Sequence, residues 1–312
     1  SVLAHFLPKA EGQAAQNTYI PLEQGGEAPA IQLMVNVYRT ASQTIEQVPL
    51  EEYVRGVVAS EMPHHFELEA LKAQALAART YIIRRLMEND VSDTPKGADV
   101  RDDVGHQVYQ SEEELRKSWG YSFEERISRI NQAVNETKGL VITYQGRPID
   151  ATFFSTSNGY TENSEDYWGE KIPYLRSVPS PWDQASPRFK EVIRIPLNQF
   201  EEKLGLQLAV PASSDQPFAQ IVSRTEGGRV KEVKIGEETF TGREIREKLG
   251  LPSSDFTWKL EGETVVITTT GYGHGVGLSQ FGANGMAKEG KTAEEIVRYY
   301  YQGVEIEEYA KW

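Results

Sequence analysis

The stretch Leu50-Glu51-Glu52-Tyr53-Val54-Arg55-Gly56-Val57-Val58-Ala59-Ser60-Glu61-Met62-Pro63 decides how this chain is read. Its apolar side chains, Leu50, Tyr53, Val54, Val57 and Val58, recur at helical spacing, and the next position on that stripe is Glu61. Pro63 cannot continue a helix and pushes Met62 out of helical geometry, so Glu61 occupies the last turn. Two effects there disfavour its ionised form: the partial negative charge of the helix C-terminus and burial against apolar neighbours. Both move the carboxyl toward the range of a general acid. The alternative is an ordinary glutamate reaching into water from a helix end.

Working outward, Glu69 to Glu88 is rich in Ala, Leu, Lys and Arg and predicts a second helix, with Leu71, Ala75, Ala78, Ile82 and Leu86 as its apolar stripe. Lys72 and Arg79 lie seven residues apart on an adjacent stripe, so two cations face one direction. Upstream, Ile31 to Tyr38 alternates as a strand and Thr44 to Val48 follows it. The first 30 residues are polar and turn-rich and read as a loosely attached arm. Downstream, Asn89 to Asp103 reads as a loop, a helix spans Phe123–Thr137, and strands are expected at Leu140–Tyr144 and Ile149–Phe154. Pro173, Pro179, Pro181 and Pro187 exclude regular structure from their segment.

From about Arg188 to Glu263 the chain turns to short charged strands and a small helix near Gly242–Leu249, which reads as an inserted subdomain. Thr264 to Thr268 returns as a buried strand, and the last helix opens with the capping box Thr292-Ala293-Glu294-Glu295 and stops at Gly303. The expected fold is α+β. Mixed helices and short antiparallel sheets frame a substrate cleft in a main domain of residues 31–187 and 264–312, with 188–263 as an inserted second lobe.

With 312 residues the chain can bury a large core. Its net charge is −13 and its basic residues are scattered, which argues against nucleic acid as a partner. No cysteine is present, so disulfides, thiolate nucleophiles and Cys-based zinc sites are excluded. No metal constellation is expected: the adjacent His64 and His65 point apart, and His106 stands alone near Asp102 and Asp103.

Two polar segments carry candidate ligand contacts. Ser155-Thr156-Ser157-Asn158-Gly159 follows an apolar strand and offers hydroxyls and an amide suited to neutral polyhydroxyl ligands, or is a plain turn. Gly271-Tyr272-Gly273-His274-Gly275-Val276-Gly277-Leu278-Ser279-Gln280-Phe281-Gly282 lacks the spacing of a P-loop or a dinucleotide fingerprint. Its glycines either let the backbone approach a ligand closely, presenting His274 and Gln280, or make a strained connection without one. Tyr167-Trp168 is suited to stacking on sugar rings or to core packing.

These blocks in order resemble the stage II sporulation protein D family, which also contains the amidase-enhancer proteins. The resemblance rests on Val48–Val54, Ala59–Pro63, Leu71-Lys72-Ala73-Gln74-Ala75-Leu76-Ala77-Ala78-Arg79-Thr80-Tyr81, Ser155–Gly159 and Gly271–Ala283. It covers most of the chain from about Ile31 onward and is weakest across 188–263. It implies a lytic transglycosylase acting on peptidoglycan glycan strands during engulfment of the forespore, with Glu61 as the catalytic acid and no cofactor. It further implies substrate contacts from Lys72, Arg79, Tyr81, Ser155, Ser157, Asn158, His274 and Gln280. Stage II sporulation proteins P and M are the implied partners. The implied location is extracytoplasmic, on the outer forespore membrane facing the intermembrane space, with a membrane tether upstream of this sequence. Some relatives hold a zinc with Cys and His where this chain has Arg101 and His106, so that site is broken here. A cation near Glu61 would lower its pKa and oppose the helix-end effect, and the sequence leaves the sign of the net shift open.

Overall fold

The computed structural model describes residues 20–22, 30–208 and 218–309. Most of the expected N-terminal arm lies outside these residues, although Ile20–Leu22 (β1) pairs antiparallel with Ala30–Gln32 (β2). The following elements are β3 (Met34–Arg39), β4 (Thr44–Pro49), α1 (Leu50–Glu61), α2 (Leu68–Glu88), β5 (Val100–Arg101), α3 (Glu112–Trp119), α4 (Phe123–Glu136), β6 (Leu140–Tyr144) and β7 (Arg147–Pro148). Then come β8 (Phe153–Phe154), α5 (Ser164–Trp168), β9 (Lys190–Pro196), α6 (Leu197–Leu204), β10 (Ala219–Arg224), β11 (Val230–Ile235), β12 (Glu238–Thr241) and α7 (Gly242–Leu249). The chain ends through β13 (Phe256–Glu261), β14 (Thr264–Thr270), β15 (Leu278–Ser279), α8 (Gln280–Lys288), α9 (Ala293–Tyr300) and β16 (Glu305–Glu308). The fold is α+β, as expected.

The chain divides into two compact units. The first comprises residues up to Ala151 with 290–296 and 304–312; the second comprises 152–289 with 297–303. Residues 188–263 fall in the second unit together with their flanks.

In the first unit, β3 lies between β4, antiparallel, and β5, parallel. A second sheet pairs β6 with β7 and with β16. Helix α2 packs against α1, α4 and β6. It carries buried residues on more sides than one stripe: Ala70, Ala73 and Ala77 join Leu71, Ala75, Ala78 and Ile82. The small alanine side chains let three elements approach one helix axis, which a leucine-rich helix would hold apart. The α1 stripe Leu50, Tyr53, Val54, Val57 and Val58 is fully buried, as the periodicity requires. Helix α3 was not expected, although Ser111 and Glu114 form the capping box that announces it. The strand expected over Ile149–Phe154 is mostly irregular. Ile149 still bonds back to Ile142, but only Phe153–Phe154 is a strand, paired parallel with Leu278–Ser279.

In the second unit, β14 is the centre of a three-stranded antiparallel sheet between β13 and β9. A second sheet has the order β10-β11-β12. A single apolar cluster runs through Ile195, Phe200, Val233, Ile235, Ile245, Phe256, Val265 and Ile267, so helices α6 and α7 share a core with strands of both sheets.

Candidate active site

Glu61 is the last residue of α1, and Met62 leaves the helix in extended conformation just before Pro63, as proline geometry requires. The Glu61 side chain is half-buried, and its Oε1 accepts a hydrogen bond from the Val108 backbone N–H at 2.7 Å. Burial pushes the carboxyl above its ordinary value, and the Val108 N–H pulls it only part of the way back. Among the described residues no cation lies within ion-pair distance of it. The sign left open by the sequence is therefore upward. Oε1 is engaged by Val108, and no described residue donates to Oε2.

The loop that supplies this N–H is seated along α1 by several contacts from residues far away in sequence. Tyr109 stacks on Tyr53 with ring centroids 5.5 Å apart, and Gln107 Nε2 donates to the buried Tyr53 hydroxyl at 3.2 Å. Ser60 Oγ donates to Gln110 Oε1 at 3.3 Å. Arg39 holds the same loop from the β3 side, bonding Asp102 at 2.9 Å and lying 4.9 Å from the Tyr109 ring centroid. Gly56 is the residue that permits the seating. A Cβ there would meet the Tyr109 ring at 2.4 Å and the Gln110 carbonyl oxygen at 2.5 Å. Gly56→Ala should therefore cost about 1–3 kcal/mol of stability through overpacking, read as a lowered urea midpoint. An unchanged midpoint would show that the loop does not rest on the helix. None of these loop residues was singled out by sequence reasoning; the available signal was an isolated glycine inside a strongly helical pattern.

Neither Lys72 nor Arg79 acts on Glu61. Lys72 Nζ sits 3.0 Å from Glu69 and 3.9 Å from Glu136. Arg79 is fully buried and saturated by protein. Its Nε and Nη2 grip Glu51 at 2.8–3.2 Å, and its Nη1 donates to the Leu140 carbonyl at 3.0 Å. Glu51 lies in the first turn of α1 and Glu61 ends it, so the Arg79 partner is about 15 Å from Glu61 along the helix axis. This arrangement gives Arg79 a structural task, tying α1 to α2 and to the end of α4. Tyr81 is half-buried, with its phenol pushed up to about 12 chiefly by burial.

The other expected site residues lie in the second unit, where most of them make protein contacts. Ser157 is buried: its N–H donates to Asp183 at 2.8 Å and its Oγ to the Ser180 carbonyl at 3.3 Å. Asp183 is fully buried and also accepts from the hydroxyls of Ser180 and Ser279. Burial raises its carboxyl and these donors counter the rise. Nothing in the proline-punctuated sequence around Asp183 marks this role. Asn158 bridges the Gly227 carbonyl and Asp255 at 2.9 Å each. Ser155 is half-buried, its hydroxyl 3.1 Å from that of Thr156. Gln280 is the first residue of α8, 5 % exposed, and Ser279 caps that helix by accepting from the Gly282 N–H.

The glycines of residues 271–277 serve close approach to the protein's own chain. All four have positive φ, between 87° and 111°. A Cβ on Gly273 would meet Phe154 Cβ at 2.7 Å, and one on Gly277 would meet the Thr152 carbonyl oxygen at 2.3 Å. His274 Nδ1 accepts from the Val276 N–H at 3.0 Å, and Nε2 donates to the Phe153 carbonyl. Burial, helped by Arg246, pushes the imidazole down to about 3, so it is neutral and orients rather than titrates.

His106 lies at the segment where the family resemblance placed a broken zinc site. Its Nε2 is 2.7 Å from Asp93 Oδ2 and its Nδ1 accepts from the Arg101 N–H at 2.8 Å. Both ring nitrogens are thus used to close the loop. Among the described residues no three His, Asp or Glu side chains converge as metal ligands.

Comparison with known proteins places this α+β fold in a class of sporulation proteins. The family model described as stage II sporulation protein matches residues 38–144, which include Glu61, the loop seated on it, Lys72 and Arg79. The chain is 52 % identical over 289 residues to stage II sporulation protein D of Bacillus subtilis (strain 168), covering 92 % of this chain and 83 % of that relative. It is 50 % identical over 289 residues to stage II sporulation protein D of Bacillus amyloliquefaciens, with the same coverage. The amidase enhancer of Bacillus subtilis (strain 168) is 30 % identical over 310 residues, covering 82 % of this chain and 40 % of that protein. The chain belongs to the stage II sporulation protein D family. No helix of the described residues is long and apolar enough to cross a membrane.

Proposed function

We propose that this protein is a lytic transglycosylase that cleaves peptidoglycan glycan strands between N-acetylmuramic acid and N-acetylglucosamine during engulfment, leaving 1,6-anhydro ends. The observation that carries this reading is the Glu61 carboxyl: raised by burial, held through Oε1 by the Val108 N–H, and with no cation at ion-pair distance among the described residues. Such a group stays protonated where an ordinary glutamate has ionised, which a general acid requires.

In the proposed reaction Glu61 Oε2–H protonates the glycosidic oxygen as the bond to the muramic anomeric carbon breaks. The carboxylate then takes the proton of the muramic 6-hydroxyl, whose oxygen bonds to the same carbon and closes the anhydro ring. No water is consumed and Glu61 ends protonated. Because the nucleophile belongs to the substrate, the chemistry needs one carboxyl where a hydrolase uses two. It needs no cofactor. The proposed setting is extracytoplasmic, with a membrane tether upstream and stage II sporulation proteins P and M as partners.

The amidase-enhancer relative favours a second reading, a glycan-binding activator of a cell-wall amidase without chemistry of its own. Product analysis on peptide-free glycan strands separates the two. Anhydro-muramic ends support the enzyme, reducing ends indicate hydrolysis, and intact strands with folded protein support the activator. The pH profile gives an independent check. Since burial raises the Glu61 pKa above the ordinary glutamate value and the protonated form is the active one, activity should persist to higher pH than an ordinary glutamate would allow and fall as pH rises through the raised value. A basic limb of kcat/KM at or below the ordinary glutamate value would remove Glu61 as the acid.

A further inference from the structure

The second unit carries an aromatic cluster that its core does not explain. Trp168 and Tyr167 end the short helix α5 and meet edge to face at 5.7 Å. Both pack on the His274 ring, Trp168 at 5.1 Å and Tyr167 at 6.0 Å, and Phe154 supports that ring from 5.7 Å. His274, locked by two backbone bonds, is the pivot that fixes the plane of the others. Two arginines of α7 border the cluster. Arg243 lies 4.8 Å from the Tyr167 ring centroid, and Arg246 Nη1 donates to the Tyr167 hydroxyl at 2.8 Å.

Three features distinguish this from packing alone. Trp168, Tyr167 and His274 are all half-buried and lie outside the apolar cluster formed by both sheets. The Trp168 indole N–H donates to no described residue. Arg246, Arg229 and Arg243 bring positive charge to bear on His274. Arg243 is paired with Glu247, whereas Arg246, with Nε on the Leu251 carbonyl and Nη1 on the Tyr167 hydroxyl, has no carboxylate partner among the described residues although the chain carries an excess of acids. A half-buried aromatic face whose indole N–H no described residue accepts suits the apolar face and hydroxyl edge of a pyranose. A guanidinium beside it that lacks a carboxylate partner suits a carboxylate, through one charge-assisted hydrogen bond.

We propose that Trp168, Tyr167, Arg243 and Arg246 form a saccharide subsite for a pyranose that bears a carboxylate. The inference rests on the glycan reading above, in which a muramic residue without its peptide presents a free lactyl carboxylate.

The test is binding by calorimetry to the full chain carrying Glu61→Gln, so that strands are not consumed. The probes are peptide-free glycan strands and the same strands with their carboxyls reduced to alcohols. Arg246→Gln should weaken binding of the carboxylated strands about tenfold, the worth of one charge-assisted hydrogen bond, and leave the reduced strands unaffected. Arg246→Lys, keeping charge without the fork, should recover only part of the loss. Trp168→Ala should weaken both probes, and Trp168→Phe, which retains a flat ring and guards against a folding artefact, should recover most of that affinity. Strand binding that both positions leave unchanged would overturn the subsite alone, as would equal loss for the two probes in Arg246→Gln. Absence of strand binding by the parent protein would overturn the glycan reading and the subsite with it.

Discussion

Glu61→Gln is expected to abolish the release of anhydro-muramic ends, lowering turnover on peptide-free strands by at least about 100-fold, the lower bound for a general acid that also serves as base. The substitution is chosen for what it preserves. A glutamine oxygen can accept the Val108 N–H as Oε1 does at 2.7 Å, so the loop stays seated on α1 and stability should be close to that of the parent. It removes the only step glutamine cannot perform, which is giving and retaking a proton. Mass spectrometry of the released ends, with an unfolding curve on the same sample, reads both halves of the expectation. Substantial residual anhydro product would move the acid elsewhere, and a collapsed unfolding midpoint would make Glu61 structural.

Arg79→Met is expected to destabilise the first unit by about 3–5 kcal/mol, because it leaves the partner of a buried ion pair without its countercharge. Glu51 loses bonds from Nε and Nη2, and the carbonyls of Leu140 and Val134 lose their donors. Methionine fills much of the same volume, so the loss reports charge and hydrogen bonding rather than a cavity. The lowered urea midpoint should come with an unchanged KM for glycan strands in whatever fraction stays folded. A raised KM with normal stability would restore Arg79 to the substrate contacts implied by the family resemblance.

The contrast between Glu61 and Arg79 shows where sequence reading reaches its limit. Both sit in recognisable blocks, yet the periodicity that put Glu61 on a buried stripe at a helix end said nothing of what faces it. The Val108 N–H comes from 47 residues away and the Glu51 partner of Arg79 from 28. Stripe counting on α2 assumed one packed face, whereas the alanines admit neighbours on several sides and carry Arg79 inward. The glycines at 271–277 were legible as a close approach but not as an approach to the protein's own strand. Helix α3 was legible from its capping box and was overlooked for lack of an apolar stripe, since Leu115 is its one buried residue.

By itself, then, the sequence determined what local physics governs. The apolar period of α1, its termination at Pro63, the position of Glu61 in the last turn, the α+β class and the motif order of the family all depend on residues a few positions apart. The tertiary structure alone decided the sign of the Glu61 shift, the burial of Arg79, the Asp183 network and the arginine-bordered ring cluster around His274. Each depends on how much water is excluded and which distant groups arrive in its place. A desolvation penalty and the partner that offsets it are properties of the packed chain and not of any segment read alone.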